Sequence, residues 1–194
     1  MKRIIDILLA LLGVIILFPL AFIVGMIIFL NDFQPIFFHQ ERIGRFGTAF
    51  KLFKFRSMTT LKGVSKNSFD VGDTSRVTRI GKIIRKTKLD EIPQLLNVIV
   101  GDMSIVGPRP EIKLWTEVYP DRWSIVHSVK PGITDNASIE FRNEEKLLAN
   151  ADEPEVIYRD VILPRKLDLY IQYVENQSFL GDVKIIFRTI KTVI

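Results

Sequence analysis

Residues 4–30 form an almost unbroken apolar run, interrupted only by Asp6, Gly13, Pro19 and Gly25. At about 1.5 Å per residue the run makes about 40 Å of helix, longer than the ~30 Å hydrocarbon core of a bilayer. It is too long for a signal peptide, and no small-x-small cleavage site follows it. Pro19 removes a backbone hydrogen bond near the middle and kinks a helix there. Lys2 and Arg3 precede the run, and Arg42 and Arg45 follow it. Positive flanks keep to the cytoplasmic side. Two shapes meet these conditions: a tilted spanning helix with a proline kink, or a helix bent at Pro19 that enters and leaves by one face.

The pattern then changes. Residues 34–58 read as a hairpin, with aromatic-rich runs around a turn at Gly44 to Gly47. Residues 61–75 are polar, contain Gly63 and Gly72, and read as a loop. Residues 79–87 predict a short basic helix, 90–100 a second helix, and 102–110 a Gly/Pro loop. Residues 111–119 and 140–150 look helical, with Pro131-Gly132 a turn between them. Pro154 opens a long helical pattern to about residue 176. Residues 179–194 are amphipathic: Phe179, Leu180, Val183, Ile186, Phe187, Ile190 and Val193 share one face. Such a helix packs on a core or lies in a membrane interface. The fold class expected is mainly α with a small β-hairpin.

Composition narrows the chemistry. The 194 residues suffice for one domain with a membrane appendage. There is no cysteine, which excludes disulfides and thiolate metal sites. His39 and His127 are far apart in sequence and do not suggest a zinc site. Carboxylates remain for a hard cation such as Mg²⁺. Charge is uneven. Residues 42–88 hold 13 Lys/Arg and 2 Asp/Glu, whereas the rest of the chain holds 14 and 20. A basic middle on an otherwise acidic chain suits an anionic partner: nucleic acid, lipid headgroups or a phosphorylated substrate.

The stretch from Leu89 to Val98 is the most informative. Asp90 reads as an N-cap, with Pro93 tolerated in the first turn. That places its carboxylate at the positive end of a helix, just after Arg79, Lys82, Arg85, Lys86 and Lys88. An ionised carboxylate among cations is suited to attack a phosphoryl group, or else is an ordinary cap. Gly107-Pro108-Arg109-Pro110 fixes an arginine between two prolines, and a guanidinium fork fits phosphate oxygens. Phe55-Arg56-Ser57-Met58 ends the hairpin and aims Arg56 into a cleft or over apolar surface.

These motifs occur in order with others: Lys2-Arg3…Asp6, Phe55-Arg56-Ser57-Met58, Leu89-Asp90-Glu91-Ile92-Pro93-Gln94, Gly101-Asp102-Met103-Ser104, Val106-Gly107-Pro108-Arg109-Pro110 and Lys130-Pro131-Gly132-Ile133-Thr134. The ordered set, spread over nearly the whole chain, resembles the bacterial sugar transferase family, the small monotopic phosphoglycosyl transferases, in its minimal form. The resemblance implies an N-terminal re-entrant membrane helix over 1–33, bent at Pro19. It implies a cytoplasmic catalytic domain over 34–194 with interfacial amphipathic helices at its C-terminal end, held at the inner leaflet of a bacterial cytoplasmic membrane. It implies that Asp90 attacks the β-phosphate of a UDP-sugar, releases UMP, and passes the sugar-phosphate to polyprenyl phosphate. Glu91 assists by holding Mg²⁺ with Asp90. Lys54, Arg56, Arg85, Pro108, Arg109 and Arg142 line the phosphate and nucleotide site, and the basic stripe then serves substrate and membrane, not nucleic acid.

The sequence departs from the family pattern twice. Phe18 stands where many members carry a serine before the bending proline. The segment Asp135 to Glu145 replaces the usual continuation of Pro-Gly-Ile-Thr, keeping Arg142 and Asn143. Two rival expectations stand beside this reading: a membrane-anchored module that uses its basic stripe for anionic lipid or nucleic acid and needs neither Asp90 nor Mg²⁺, and a phosphohydrolase that sends the same covalent intermediate to water.

Overall fold

The computed structural model describes residues 1–59 and 76–193, so the loop expected at 61–75 lies outside the described residues. The apolar run forms one helix, α1 (Lys2–Asp32), which continues through Pro19 and ends where Phe33 turns left-handed. It is long and apolar enough to cross a membrane by length and composition.

Both ends of α1 pack on the same body. At the start, Lys2 bonds Asp182 (2.6 Å) and the Val106 carbonyl (3.1 Å). Arg3 donates to the carbonyls of Val98 and Ile99, capping the last turn of a later helix with positive charge. Asp6 accepts from the Ser104 hydroxyl and the Ile105 amide. Near the other end, Val24 and Ile28 are buried with Phe55 and Ile84. Between them Ile15, Ile16, Phe18 and Phe22 stand exposed. The charges at residues 2 and 3, read from sequence as membrane flanks, thus also clamp the helix to the body.

The hairpin is present: β1 (Phe37–Ile43) pairs antiparallel with β2 (Ala49–Phe55), Phe37 opposite Phe55 and Ile43 opposite Ala49. The basic helix is α2 (Arg79–Lys86), capped by Thr78, whose hydroxyl accepts from the Gly81 amide. A Cβ on Gly81 would meet the Ser57 carbonyl oxygen at 1.9 Å, so only glycine lets α2 lie against the end of the hairpin.

The helix expected from Asp90 to Val100 is two pieces. Lys88 turns left-handed (φ 58°), Leu89–Glu91 form a tight 3-10 turn, and α3 (Gln94–Val100) starts after Pro93. Asp90 is therefore not an N-cap: it sits inside the turn, and its side chain caps nothing. The loop expected at 102–110 contains β3 (Ser104–Val106), and the turn at Pro131-Gly132 leads into β4 (Gly132–Thr134). These pair in parallel, so a second small sheet joins the hairpin in a mainly helical fold. Gly107 and Gly132 approach so closely that a Cβ on Gly132 would lie 2.1 Å from the Gly107 nitrogen.

The expected helix at 111–119 shortens to α4 (Lys113–Thr116), and α5 (Pro120–Val126) follows, opened by a proline in its first turn. The expected 140–150 helix is likewise α6 (Asn136–Glu140) and α7 (Glu144–Ala149). The long pattern from Pro154 holds: α8 (Pro154–Ile157) and α9 (Leu163–Glu175) join through one π turn, Tyr158–Ile162. Trp115, Trp123, Tyr158, Leu163, Leu167 and Tyr170 form the main core beneath them. The last helix, α10 (Phe179–Val193), buries Asp182 and Ile185 but leaves Leu180 77% and Phe187 68% exposed. Phe179, Leu180, Phe187 and Ile190 of its apolar stripe thus face outward, while Ile186 packs against the core.

Candidate active site

The site is assembled where β2, the 3-10 turn and the loop after β3 meet. Strand alternation puts Lys54 on the same face as Leu52, which is buried with Val98 of α3. Asn97 of α3 fixes that strand. Its side-chain oxygen accepts from the Phe53 amide (2.9 Å), and its Nδ2 donates to the Lys51 carbonyl (2.7 Å). One amide side chain thereby satisfies the free edge of β2 as a neighbouring strand would, and sets where Lys54 lies.

Arg109 comes from the other side. Its loop is held by the Gly107–Gly132 contact, by Arg42, which donates to the Pro110 carbonyl (3.3 Å), and by the Ile43 amide on the Glu111 carbonyl (2.9 Å). Pro108 is buried beside it, and the two prolines fix the backbone on either side of Arg109. Arg109 grips Glu91 with both terminal nitrogens, while Lys54 reaches the same carboxylate at 3.4 Å. Burial alone raises the Glu91 carboxyl, but Arg109 and Lys54 override it and hold it well below the usual glutamate range. Glu91 in turn raises Arg109 above its ordinary value. Burial lowers Lys54 below the usual lysine value, against the pull of Glu91.

Asp90 differs from its neighbour. It is 7% exposed, and its Oδ1 is buried with no hydrogen-bond partner among the described residues. Burial raises its carboxyl above the ordinary aspartate value and Glu91 adds to that, against Lys54, Lys88 and Arg109. The turn thus presents one carboxylate locked by two cations beside one with an open oxygen.

The structure brings Asp90, Glu91, Lys54 and Arg109 together, with Pro108 behind Arg109. The other arginines are held differently. Arg56 is buried, with its Nε on the Pro35 carbonyl (2.7 Å). Arg85 pairs with Glu145 of α7 (2.8 Å). Arg142 is exposed in the turn after α6.

Sequence reading missed the buried polar layer behind the site. Glu111 bonds Arg42 (3.1 Å) and accepts from the Tyr158 hydroxyl (2.6 Å). Lys166 pairs with Glu144 (2.7 Å). Asp135, whose carboxyl burial raises, caps α6 through Ser138, and its charge also acts on Arg109. One signal was available: Lys166 falls among Leu163, Leu167 and Tyr170 on the apolar face of its helix, where a lysine needs a partner.

No group of three or more acidic or histidine side chains gathers among the described residues. Of the two adjacent carboxylates expected to hold Mg²⁺, Glu91 has both oxygens engaged by Arg109 and Lys54, which leaves Asp90 as the carboxylate of the kind Mg²⁺ takes beside substrate phosphates and water. The open Oδ1 of Asp90 is a ligand of the right kind.

The sequence profile of the bacterial sugar transferase family matches residues 1–194. Among curated proteins, the chain is 37% identical over 199 residues to the uncharacterised sugar transferase EpsL of Bacillus subtilis, covering 100% of this chain and 87% of that protein. It is 34% identical to a UDP-N-acetylgalactosamine-undecaprenyl-phosphate N-acetylgalactosaminephosphotransferase of Aeromonas hydrophila, covering 100% of this chain and 43% of that protein. It is 33% identical to the UDP-glucose:undecaprenyl-phosphate glucose-1-phosphate transferase of Escherichia coli K12, covering 98% of this chain and 39% of that protein.

Proposed function

This chain belongs to the bacterial sugar transferase family, and we propose that it moves a sugar 1-phosphate from a UDP-sugar to undecaprenyl phosphate through a covalent intermediate on Asp90. The observation that carries this reading is the contrast within one turn: Glu91 is neutralised by Arg109 and Lys54, while Asp90 keeps a buried oxygen with no partner. An oxygen left open beside two cations is where a nucleophile toward a phosphoryl group belongs.

In the first half-reaction an Asp90 oxygen forms a bond to the β-phosphorus, and the bond from that phosphorus to the bridging oxygen breaks, so UMP leaves with the electron pair. In the second, an oxygen of undecaprenyl phosphate attacks the same phosphorus and the aspartyl carboxylate is released unchanged. Arg109 and Lys54 neutralise charge on the diphosphate as it develops, because phosphoryl transfer is governed by positioning and electrostatics. Asp90 would hold Mg²⁺, and Glu91 would join it as Arg109 and Lys54 turn from that carboxylate to the diphosphate; the ion would supply further charge neutralisation.

The reading places the catalytic body on the cytoplasmic face, with α1 re-entrant. The packing of both ends of α1 on one body supports that arrangement, as does the outward apolar face of α10. The test is UMP release from a panel of UDP-sugars, including UDP-N-acetylgalactosamine and UDP-glucose, with undecaprenyl phosphate and Mg²⁺. Wild type is expected to turn over with at least one donor and Asp90→Asn with none. Silence across the whole panel would sink the transferase reading.

A further inference from the structure

The face of the turn and helix that carries Asp90 also carries Gln94 and Asn97, at i+4 and i+7. The backbone stays right-handed helical through Ile92 and Pro93, so these three side chains lie along one face. At core-facing positions that spacing ordinarily holds apolar residues. All three are buried here: Asp90 at 7%, Gln94 at 1% and Asn97 at 0% exposure.

Asn97 is explained by its bonds to β2. Gln94 is not: its Nε2 is buried and has no hydrogen-bond partner among the described residues. An unsatisfied buried donor costs about 1–3 kcal/mol, so a core glutamine that only filled space would be poorly chosen against leucine or methionine. The open acceptor oxygen of Asp90 lies one turn away on the same face, yet the two atoms do not bond each other. A buried donor and a buried acceptor on one face, neither with a partner, match a third group that offers an acceptor oxygen next to an electrophilic centre. A phosphoryl group offers both.

We propose that Gln94 is a catalytic residue whose Nε2 donates a hydrogen bond to a non-bridging oxygen of the phosphoryl group while Asp90 bonds to its phosphorus. The bond strengthens as negative charge gathers on that oxygen and is kept in the aspartyl intermediate, so it lowers the barrier more than it tightens ground-state binding. No proton or electron is exchanged with Gln94. This assignment rests on the transferase reading and extends it to a residue outside the two carboxylates and the arginines.

The test uses the full chain in detergent or nanodiscs with the UDP-sugar that supports turnover. Gln94→Leu is expected to lower kcat for UMP release about 10²-fold. KM for the UDP-sugar should change by no more than about threefold, and the thermal midpoint should stay at or above that of wild type because an unsatisfied amide is gone. Gln94→Glu keeps the shape and removes the donor, so it should show the same loss of kcat; it decides alone if the leucine variant does not fold. A purely structural glutamine would give the opposite split, with a lowered midpoint and activity lost in proportion to folded protein. That result, or a kcat within about threefold of wild type, overturns the assignment while leaving the transferase reading intact. If wild type releases UMP from no donor, the transferase reading falls and the assignment falls with it.

Discussion

Asp90 and Glu91 are neighbours in one tight turn, yet their carboxyls are displaced in opposite directions. Asp90 is raised by burial, and Glu91 is lowered because Arg109 and Lys54 outweigh its burial. Glu91→Gln would leave those two cations largely desolvated with only the more distant charges of Asp90 and Asp135 to offset them, at a cost of roughly 3 kcal/mol in unfolding free energy near neutral pH. The stability Glu91 adds is present above its ordinary value of 4.5 and is lost as pH falls toward its depressed folded value. Denaturant unfolding should therefore show the gap between wild type and variant narrowing in acid. For Asp90 the sign reverses. A raised folded value favours the protonated form, so its effect on stability is most favourable in acid and is lost as pH rises through that value. Asp90→Asn should unfold at or above the wild-type midpoint near neutral pH while losing all turnover. In the nucleophilic role proposed above Asp90 must be ionised, so kcat/KM for UMP release should fall on an acid limb, which burial of its carboxyl moves upward. Asp90, Glu91 and Arg109 stand out in the sequence because their motifs are local, and the structure brings them to one place. Glu111, Asp135 and the open amide of Gln94 do not, because whether a polar atom is satisfied depends on neighbours distant in sequence.

Elements followed the same divide between local and distant causes. The hairpin, α2 and the long helix from Pro154 were legible because each runs through enough residues to show a period or carries its own stop signals. β3 and β4 are three residues each, too short for alternation to register, and they exist because Gly107 and Gly132 let two backbones meet. Asp90 was misread as a cap because Leu89-Asp90-Glu91 closes a 3-10 turn ahead of Pro93. Gly132→Ala tests the consequence at the active site. Its Cβ would meet the Gly107 nitrogen at 2.1 Å and oxygen at 2.4 Å, so the parallel pair must part. The expected cost is about 2 kcal/mol of stability, typical of overpacking. Activity should fall further than stability alone explains, since Arg109 lies two residues beyond Gly107. Measuring UMP release beside the denaturation midpoint separates the two effects.

At the scale of the whole molecule, the question is how a helix of 31 residues can meet a membrane while both its ends are fastened to one body. At about 1.5 Å per residue, α1 is roughly 45 Å long, enough to cross the hydrocarbon. A straight crossing would put Lys2 and Asn31 on opposite faces. Lys2, Arg3 and Asp6 are bonded to α10, α3 and β3, while Val24 and Ile28 are buried against β2 and α2. β2 and α2 also carry the exposed Lys51, Arg79 and Lys82, charges that a bilayer core would not accept. The re-entrant arrangement proposed above would keep every one of these contacts and put the exposed apolar side of α1 into one leaflet, with Leu180 and Phe187 of α10 beside it. The absence of cysteine makes this directly testable. Lys2 is engaged with Asp182, so one label belongs on a cysteine added ahead of Met1, and the other on Asn31→Cys. In inverted membrane vesicles an impermeant maleimide should modify both, and in right-side-out vesicles neither. Modification of the two positions from opposite sides would mean that α1 spans the bilayer, and its contacts at one end would have to be given up in the membrane.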